Sequence, residues 1–513
     1  MTASPQIPAD APGTAPATAA ADTLMTAATA DASADAAAAT SGLPLLHWVE
    51  LDQARSAPWR SEAGVPPPKR VQVADERLPP EVAYKLICEG TALLWRGDYH
   101  RAKDLLQALA VRVDGKKAAA GKPGGPGAGK SGGKPGAGGK GAPAGKAKAQ
   151  AAAQGASAKA NVPASAAAAA SAAASAPGAS GAALNPATQA FHLERQARGR
   201  RARLLNMLLL PVDTGHRIDL RRAPDVSEAC EEAWGPSTGP CVVSLRELLG
   251  LIGAHEWRKA GIEVTQLGNG ARIHAHYGVF SPVRNEYLSL IAKAPLPKPL
   301  LAKLQHPGPE EGGEPLPADQ APRAFDIGTG TGVIAALLAH RGVPRVVATD
   351  LNERALACAR ENVERLGGTE AIHVVKADLF PAAEEGLADL IVCNPPWVPA
   401  RPSSALELAV YDPDSAMLRG FLAGLAARLA PGGQGWLILS DLAEHLGLRS
   451  RDELLAWIRD AGLRVAGRLD IRPRHPRVND QADPLHAARA AEVTSLWQLE
   501  AGLVWEGAEP KAG

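Results

Sequence analysis

Between Ala324 and Asp350 the chain reads AFDIGTGTGVIAALLAHRGVPRVVATD. The apolar run Ala324 to Ile327 predicts a buried strand, Gly328, Gly330 and Gly332 a tight loop, and Val333 to His340 a helix. A second apolar run, Arg345 to Thr349, closes the unit on Asp350. Two further strands follow by the same pattern, IHVVKAD ending at Asp378 and Ala388 to Cys393 ending at Asn394. Strands alternating with helices predict a parallel sheet with Asp326, Asp350, Asp378 and Asn394 at the rim where open α/β sheets bind ligands. Upstream, Pro80 to Val113 carries two apolar helical stripes broken at Gly97-Asp98, which predicts a helical hairpin. A helical pattern returns at Phe191 to Leu210, and residues 211–270 mix short strand-like runs with a helix around Leu245 to Trp257.

Composition then removes much of the chain from this picture. Of 513 residues only 4% are aromatic, and the 46% hydrophobic share is inflated by alanine in segments too simple to build a core. Residues 1–42 are expected to be a disordered tail. Residues 115–187 hold nine lysines and no acidic residue up to Leu184, among Gly, Ala, Pro and Ser, and are expected to be a flexible linker. The division that follows is 1–42 tail, 43–114 helical segment, 115–187 linker, 188–271 accessory domain, 272–506 catalytic domain and 507–513 tail. The net charge is +1, so attraction to a nucleic acid has to be regional, carried by the lysine-bearing tract or by the five arginines between Arg195 and Arg203. Five scattered cysteines without CxxC spacing suggest neither a disulfide framework nor a zinc site. The adjacent His255 and Glu256 do not share a helix face, and no metal site is expected. With no secretory signal pattern and no apolar run of membrane length, the expectation is a cytoplasmic protein with no membrane partner.

Each rim residue has a chemical use. The glycines let backbone approach a ligand closely and present amides at a helix N-terminus. Asp350 can accept from a ribose diol, and Asp378 from the amino group of adenine. Asn394 precedes two prolines and is held extended, while Pro395 and Pro396 have no N–H and keep carbonyls free to accept. An NH2 group would meet the Asn394 side chain and the Pro395 carbonyl beside the flat Trp397. A dinucleotide-binding dehydrogenase would need glycine where Val333 stands, and offers no use for Asn-Pro-Pro-Trp on the fourth strand.

In the order DxGxGxG, Asp350, Asp378 and NPPW, residues Asp326 to Trp397 resemble the class I S-adenosylmethionine-dependent methyltransferases that methylate an NH2 nitrogen. The Gly-Val-Phe-Ser-Pro stretch before the fold is similar to the glutamine N5-methyltransferases of that group. The resemblance implies a Rossmann-like seven-stranded α/β fold, mostly parallel with the last strand antiparallel, continuing at Gly435 to Ser440, Leu463 to Leu469 and Glu492 to Leu499. It implies S-adenosyl-L-methionine as cofactor, held by Asp326, Gly328, Thr329, Gly330 and Gly332 at its methionine part, Asp350 with Leu351 at the ribose, and Asp378 with Leu379 at the adenine. Asn394, Pro395, Pro396 and Trp397 would be the catalytic set, Asn394 also touching the cofactor, and Phe280 to Arg284 would fold over it. The acceptor it implies is a glutamine side chain in a translation factor or ribosomal protein. The alternatives are an adenine or guanine amine in rRNA, tRNA or DNA, or a catalytically silent cofactor-binding partner protein. The placing of Gly97, Tyr99, Ala102 and Ala108 is similar to one tetratricopeptide unit. His475, among arginines, is read as a solvent-lip residue.

Overall fold

The structure is a computed structural model and describes residues 42–115, 185–283, 285–307, 314, 316–317, 320–402, 405–474 and 479–502. The expected tail at 1–42 and linker at 115–187 lie almost wholly outside the described residues, as do His475, Arg284 and the tail at 507–513.

Residues 43–114 are not the helical segment expected. They form strands β1 (Leu45–Glu50), β2 (Gln53–Arg60) and β3 (Arg70–Ala74), helix α1 (Pro80–Cys88), strand β4 (Thr91–Trp95) and helix α2 (Tyr99–Val113). The helical hairpin fails because the apolar run TALLW between the two stripes is a buried strand, with Leu93 and Leu94 fully enclosed. Asp98 then starts α2 as a true N-cap, accepting from the amides of His100 and Arg101.

The chain resumes as α3 (Pro186–Leu205), β5 (Leu208–Val212), α4 (Ser227–Trp234), β6 (Cys241–Ser244) and α5 (Leu245–Ala260). These do not make a separate accessory domain. The six strands share one sheet in the order β1-β2-β6-β5-β4-β3, so β6 pairs with β2 and β5 with β4 across the long intervening tract. A short antiparallel pair, β7 (Ile262–Glu263) with β8 (Arg272–Ile273), follows. Val264, Leu267 and Ile273 beside it are buried in the core of the next unit, which therefore begins before residue 272.

That unit opens with α6 (Glu286–Lys293) and α7 (Lys298–Leu304), then alternates β9 (Ala324–Ile327), α8 (Val333–His340), β10 (Val346–Asp350), α9 (Glu353–Arg365), β11 (Ile372–Lys376) and β12 (Ala388–Cys393). It closes with α10 (Ala416–Leu425), β13 (Leu429–Ser440), α11 (Leu442–His445), α12 (Arg451–Asp460), β14 (Leu463–Ile471), α13 (His486–Ala491) and β15 (Thr494–Ala501). The sheet runs β11-β10-β9-β12-β13-β15-β14, with β15 antiparallel to both neighbours and β9 to β13 parallel. This is the seven-stranded, mostly parallel α/β sheet expected, with its last strand antiparallel, and the strand order reverses at β9, with β10 on one side and β12 on the other. Strands β9 and β12 are buried along their whole length because helices cover both faces. Trp436, Ile438 and Leu337 anchor one face, and Phe421, Leu437 and Trp497 the other. Among the described residues no helix is long and apolar enough to cross a membrane.

Candidate active site

The rim is built by register. Ile327 pairs with Cys393, so Gly328 and Asn394 leave adjacent strands at the same level, about 4.8 Å apart by the usual strand spacing. On the other side of β9, Thr349 pairs with Ile327 and Asp350 is the next residue out. Asp378 lies two residues beyond β11 and is exposed, while Ala377 ties that turn back by donating to the Asp350 carbonyl at 3.2 Å. Leu379 takes a positive φ of 65°, and its carbonyl accepts from the Thr349 hydroxyl at 2.6 Å. Leu351 is 61% exposed beside Asp350, an apolar surface at the open rim.

Asp326 sits deeper than the other rim residues. It is fully buried one residue inside β9, and its Oδ2 accepts from the Thr329 hydroxyl at 2.6 Å and from the Ala335 amide at 3.0 Å. Its carboxyl therefore holds the glycine loop against the first turn of α8, while Oδ1 is buried without a hydrogen-bond partner. Burial pushes its pKa up to about 7, against the lowering effect of the bonds from Thr329 and Ala335, and the nearby Asp350 charge adds to the rise. A carboxyl raised in the folded state binds more protons there than in the unfolded chain, so its share of stability falls as pH rises from about 4 to about 7. Glu247, also pushed up to about 7 by burial, acts in the same direction. The stability of Asp326→Asn relative to the wild type should therefore climb across that window, by at most about 1.4 kcal/mol per pH unit. Urea unfolding at pH 5, 6, 7 and 8 measures it, and parallel pH profiles for the two proteins would refute the assignment.

Asp350 closes the loop from the opposite side. Its Oδ2 accepts from the Gly330 amide at 3.0 Å and its Oδ1 from the Asn352 amide at 2.9 Å. The Gly330 amide is thus spent on Asp350, where the sequence suggested it would face a ligand. Gly332 has φ +80°, and a Cβ there would stand 3.3 Å from the Cα and carbonyl oxygen of Ala359 in α9. The buried Asn362 side chain fixes the same junction, donating to the Thr331 carbonyl at 3.1 Å. Backbone on both sides cannot yield cheaply, so Gly332→Ala should lose about 1–3 kcal/mol of stability in urea unfolding, and an unchanged midpoint would show that the loop relaxes.

Asn394 follows the end of β12, half-buried, with Pro395 buried behind it. The Trp397 indole N–H donates to its Oδ1 at 2.9 Å, so Trp397 does more than wall the site: it fixes which way the amide points. Tyr287 of α6, a fully enclosed phenol, lies beside Asn394; burial and the nearby Asp326 charge push its pKa up, and the Asn394 side chain works against that rise. Tyr287 was not singled out in the sequence, since nothing local marks a helix residue more than 100 positions upstream as a neighbour of Asn394. Gly328 brings in another such neighbour, because a Cβ there would lie 2.6 Å from the Met417 Cε. Of the Phe280 to Arg284 stretch, residues 280–283 are described; they turn at 282–283 ahead of α6, with Phe280 40% exposed.

A family model described as the methyltransferase small domain matches residues 314–447. Over 195 residues the chain is 35% identical to the release factor glutamine methyltransferase of Deinococcus radiodurans, covering 36% of this chain and 65% of that protein. It is 37% identical over 142 residues to the same enzyme of Cereibacter sphaeroides, covering 25% of this chain and 51% of that protein. It is 34% identical over 132 residues to the tRNA1(Val) (adenine(37)-N6)-methyltransferase of Bacteroides thetaiotaomicron, covering 25% and 55%. The chain thus spans between about half and two thirds of the length of these curated relatives.

Proposed function

Because residues 314–447 carry a methyltransferase small domain, we propose that this protein transfers a methyl group from S-adenosyl-L-methionine to the side-chain amide of a glutamine in a release factor. The observation that carries the reading is Asn394: its amide leaves β12 level with the glycine loop and is oriented by the Trp397 indole. A catalytically silent cofactor-binding protein would have no use for an amide held in a fixed direction at the rim.

The residues present fit the cofactor. Gly330 has φ +56° and open space where a Cβ would be, so the loop offers bare backbone to a ligand. The unpartnered Oδ1 of Asp326 is an acceptor for a donor such as an ammonium group. Asp350 would take the ribose hydroxyls with Leu351 beside them, and Asp378 with Leu379 the adenine. When bound, the sulfonium supplies an already activated methyl group.

The chain's part is alignment. An amide nitrogen is a poor nucleophile because its lone pair is delocalised, so holding both of its hydrogens in place pre-arranges it for attack. Asn394 Oδ1 has a lone pair left after the Trp397 bond, and the Pro395 carbonyl is a second acceptor. The Nδ2 group of Asn394 can donate to the oxygen of the same amide. This donor and acceptor pair also fits the amino edge of adenine, which is why a tRNA amine stands as the second reading, supported by the adenine-N6 relative. A release-factor or tRNA partner, together with five free cysteines, fits a cytoplasmic site of action.

The test uses tritiated S-adenosylmethionine, the full chain, purified bacterial release factor and, separately, bulk tRNA. Label on the release factor that protease frees and nuclease does not is the expected result. Label only on tRNA would replace the acceptor, and label on neither, with cofactor bound, would remove the activity.

A further inference from the structure

Helix α3 belongs to both halves of the molecule. At its C-terminal end Leu205 is buried in the core of the six-stranded unit and Arg201 pairs with Asp114 at 2.7 Å. At its N-terminal end it lies on the segment that follows Asn394–Trp397. Phe191 is buried there with Val398, Tyr411 and Leu446, and Trp397 packs against the same cluster. The Thr188 hydroxyl donates to the Leu446 carbonyl at 2.7 Å. Arg195 makes the most specific contact: its guanidinium lies 4.3 Å from the centre of the Tyr411 ring, and its Nη2 donates to the Arg401 carbonyl at 2.7 Å and faces Glu407 at 3.5 Å.

These contacts fall at the base of the acceptor-side segment. Val398 and Tyr411 form an isolated parallel bridge, and the Asp412 amide donates to the Val398 carbonyl at 3.0 Å. Val398 is the residue after Trp397, whose indole sets the direction of the Asn394 amide. A continuous path therefore runs from the six-stranded unit through α3, Arg195 and the Val398–Tyr411 bridge to Asn394. The two units also meet along α9, where Arg354 donates to the Ala233 carbonyl at 2.8 Å and pairs with Glu62 at 3.4 Å, and where Arg258 of α5 donates to Glu361 at 2.7 Å.

We propose that α3 is a clamp on the acceptor side of the site, with Arg195 a positioning residue that acts on Asn394 through Tyr411 and Val398. The inference rests on the methyltransferase reading for its kinetic consequence but not for its structural one. It assigns the six-stranded unit a role in acceptor recognition. A planar cation stacked on a ring while bonding a carbonyl cannot be replaced by a lysine ammonium, so charge alone does not restore the clamp.

The experiment compares wild type, Arg195→Ala and Arg195→Lys. For release factor as acceptor, KM should rise about tenfold in Arg195→Ala, the scale of one charged hydrogen bond with one cation–π contact, and Arg195→Lys should recover little of it. The cofactor Kd should stay within about twofold in both. Hydrogen exchange of peptides spanning 396–412 should quicken in Arg195→Ala, while peptides spanning 324–350 keep their wild-type rates. If the wild type methylates no acceptor, the functional reading fails and the exchange data alone decide the clamp. Unchanged exchange at 396–412, or equal loosening of the glycine loop, would overturn it, as would an acceptor KM that does not move in an active enzyme.

Discussion

Asn394→Ala should lower turnover by about 100- to 1,000-fold while the affinity for S-adenosylmethionine stays within about threefold. The orientation of the Asn394 side chain is set by the Trp397 indole, and the enclosed phenol of α6 lies beside it. Removing that side chain leaves the indole N–H without its partner, and leaves the acceptor nitrogen with one fixed acceptor, the Pro395 carbonyl. The cofactor loop is held elsewhere, by Asp326, Asp350 and Asn362, and none of those bonds passes through Asn394. Single-turnover kinetics with saturating cofactor separate the two effects. Turnover that falls less than tenfold, or a cofactor affinity that falls in parallel, would contradict the division of labour.

The second large effect is expected at Asp350. Alanine there removes the acceptor for the Gly330 and Asn352 amides and the proposed partner of the ribose diol. Charge-assisted bonds of this kind contribute about 1.5–3 kcal/mol each, so cofactor affinity should fall roughly 100-fold by calorimetric titration. Asp350→Asn keeps the size and one acceptor oxygen, and should lose less. Equal losses in the two variants would mean that the loop bonds, not the ribose, set the affinity.

The rim was legible because its signals are local. A buried four-residue strand, a glycine loop at positive φ and an acidic residue closing the next strand lie within 27 residues, and Asn394 is marked by two prolines in a row. The six-stranded unit was not legible because its pairings are not local. The run TALLW sits between two helical stripes, and its neighbour Leu208–Val212 lies more than 100 residues away. Short apolar runs do not declare themselves as strand or helix by periodicity alone, and only the pairing resolves them. Asp326 has a part that its place in the motif did not announce. Beside the ligand contact proposed for its Oδ1, full burial and the bonds to Thr329 and Ala335 give it the task of bracing the loop. Tyr287 and Arg195 reach the site from elements far upstream, and no spacing in the sequence connects them to Asn394.

The most direct measurement is a crystal structure of the full chain with S-adenosylmethionine bound. The expected result has the ribose on Asp350 and the sulfonium methyl directed toward the Asn394 amide and the Pro395 carbonyl. A methyl group turned away from Asn394, or a cofactor seated off the glycine loop, would contradict the assignment of this rim as the site of transfer.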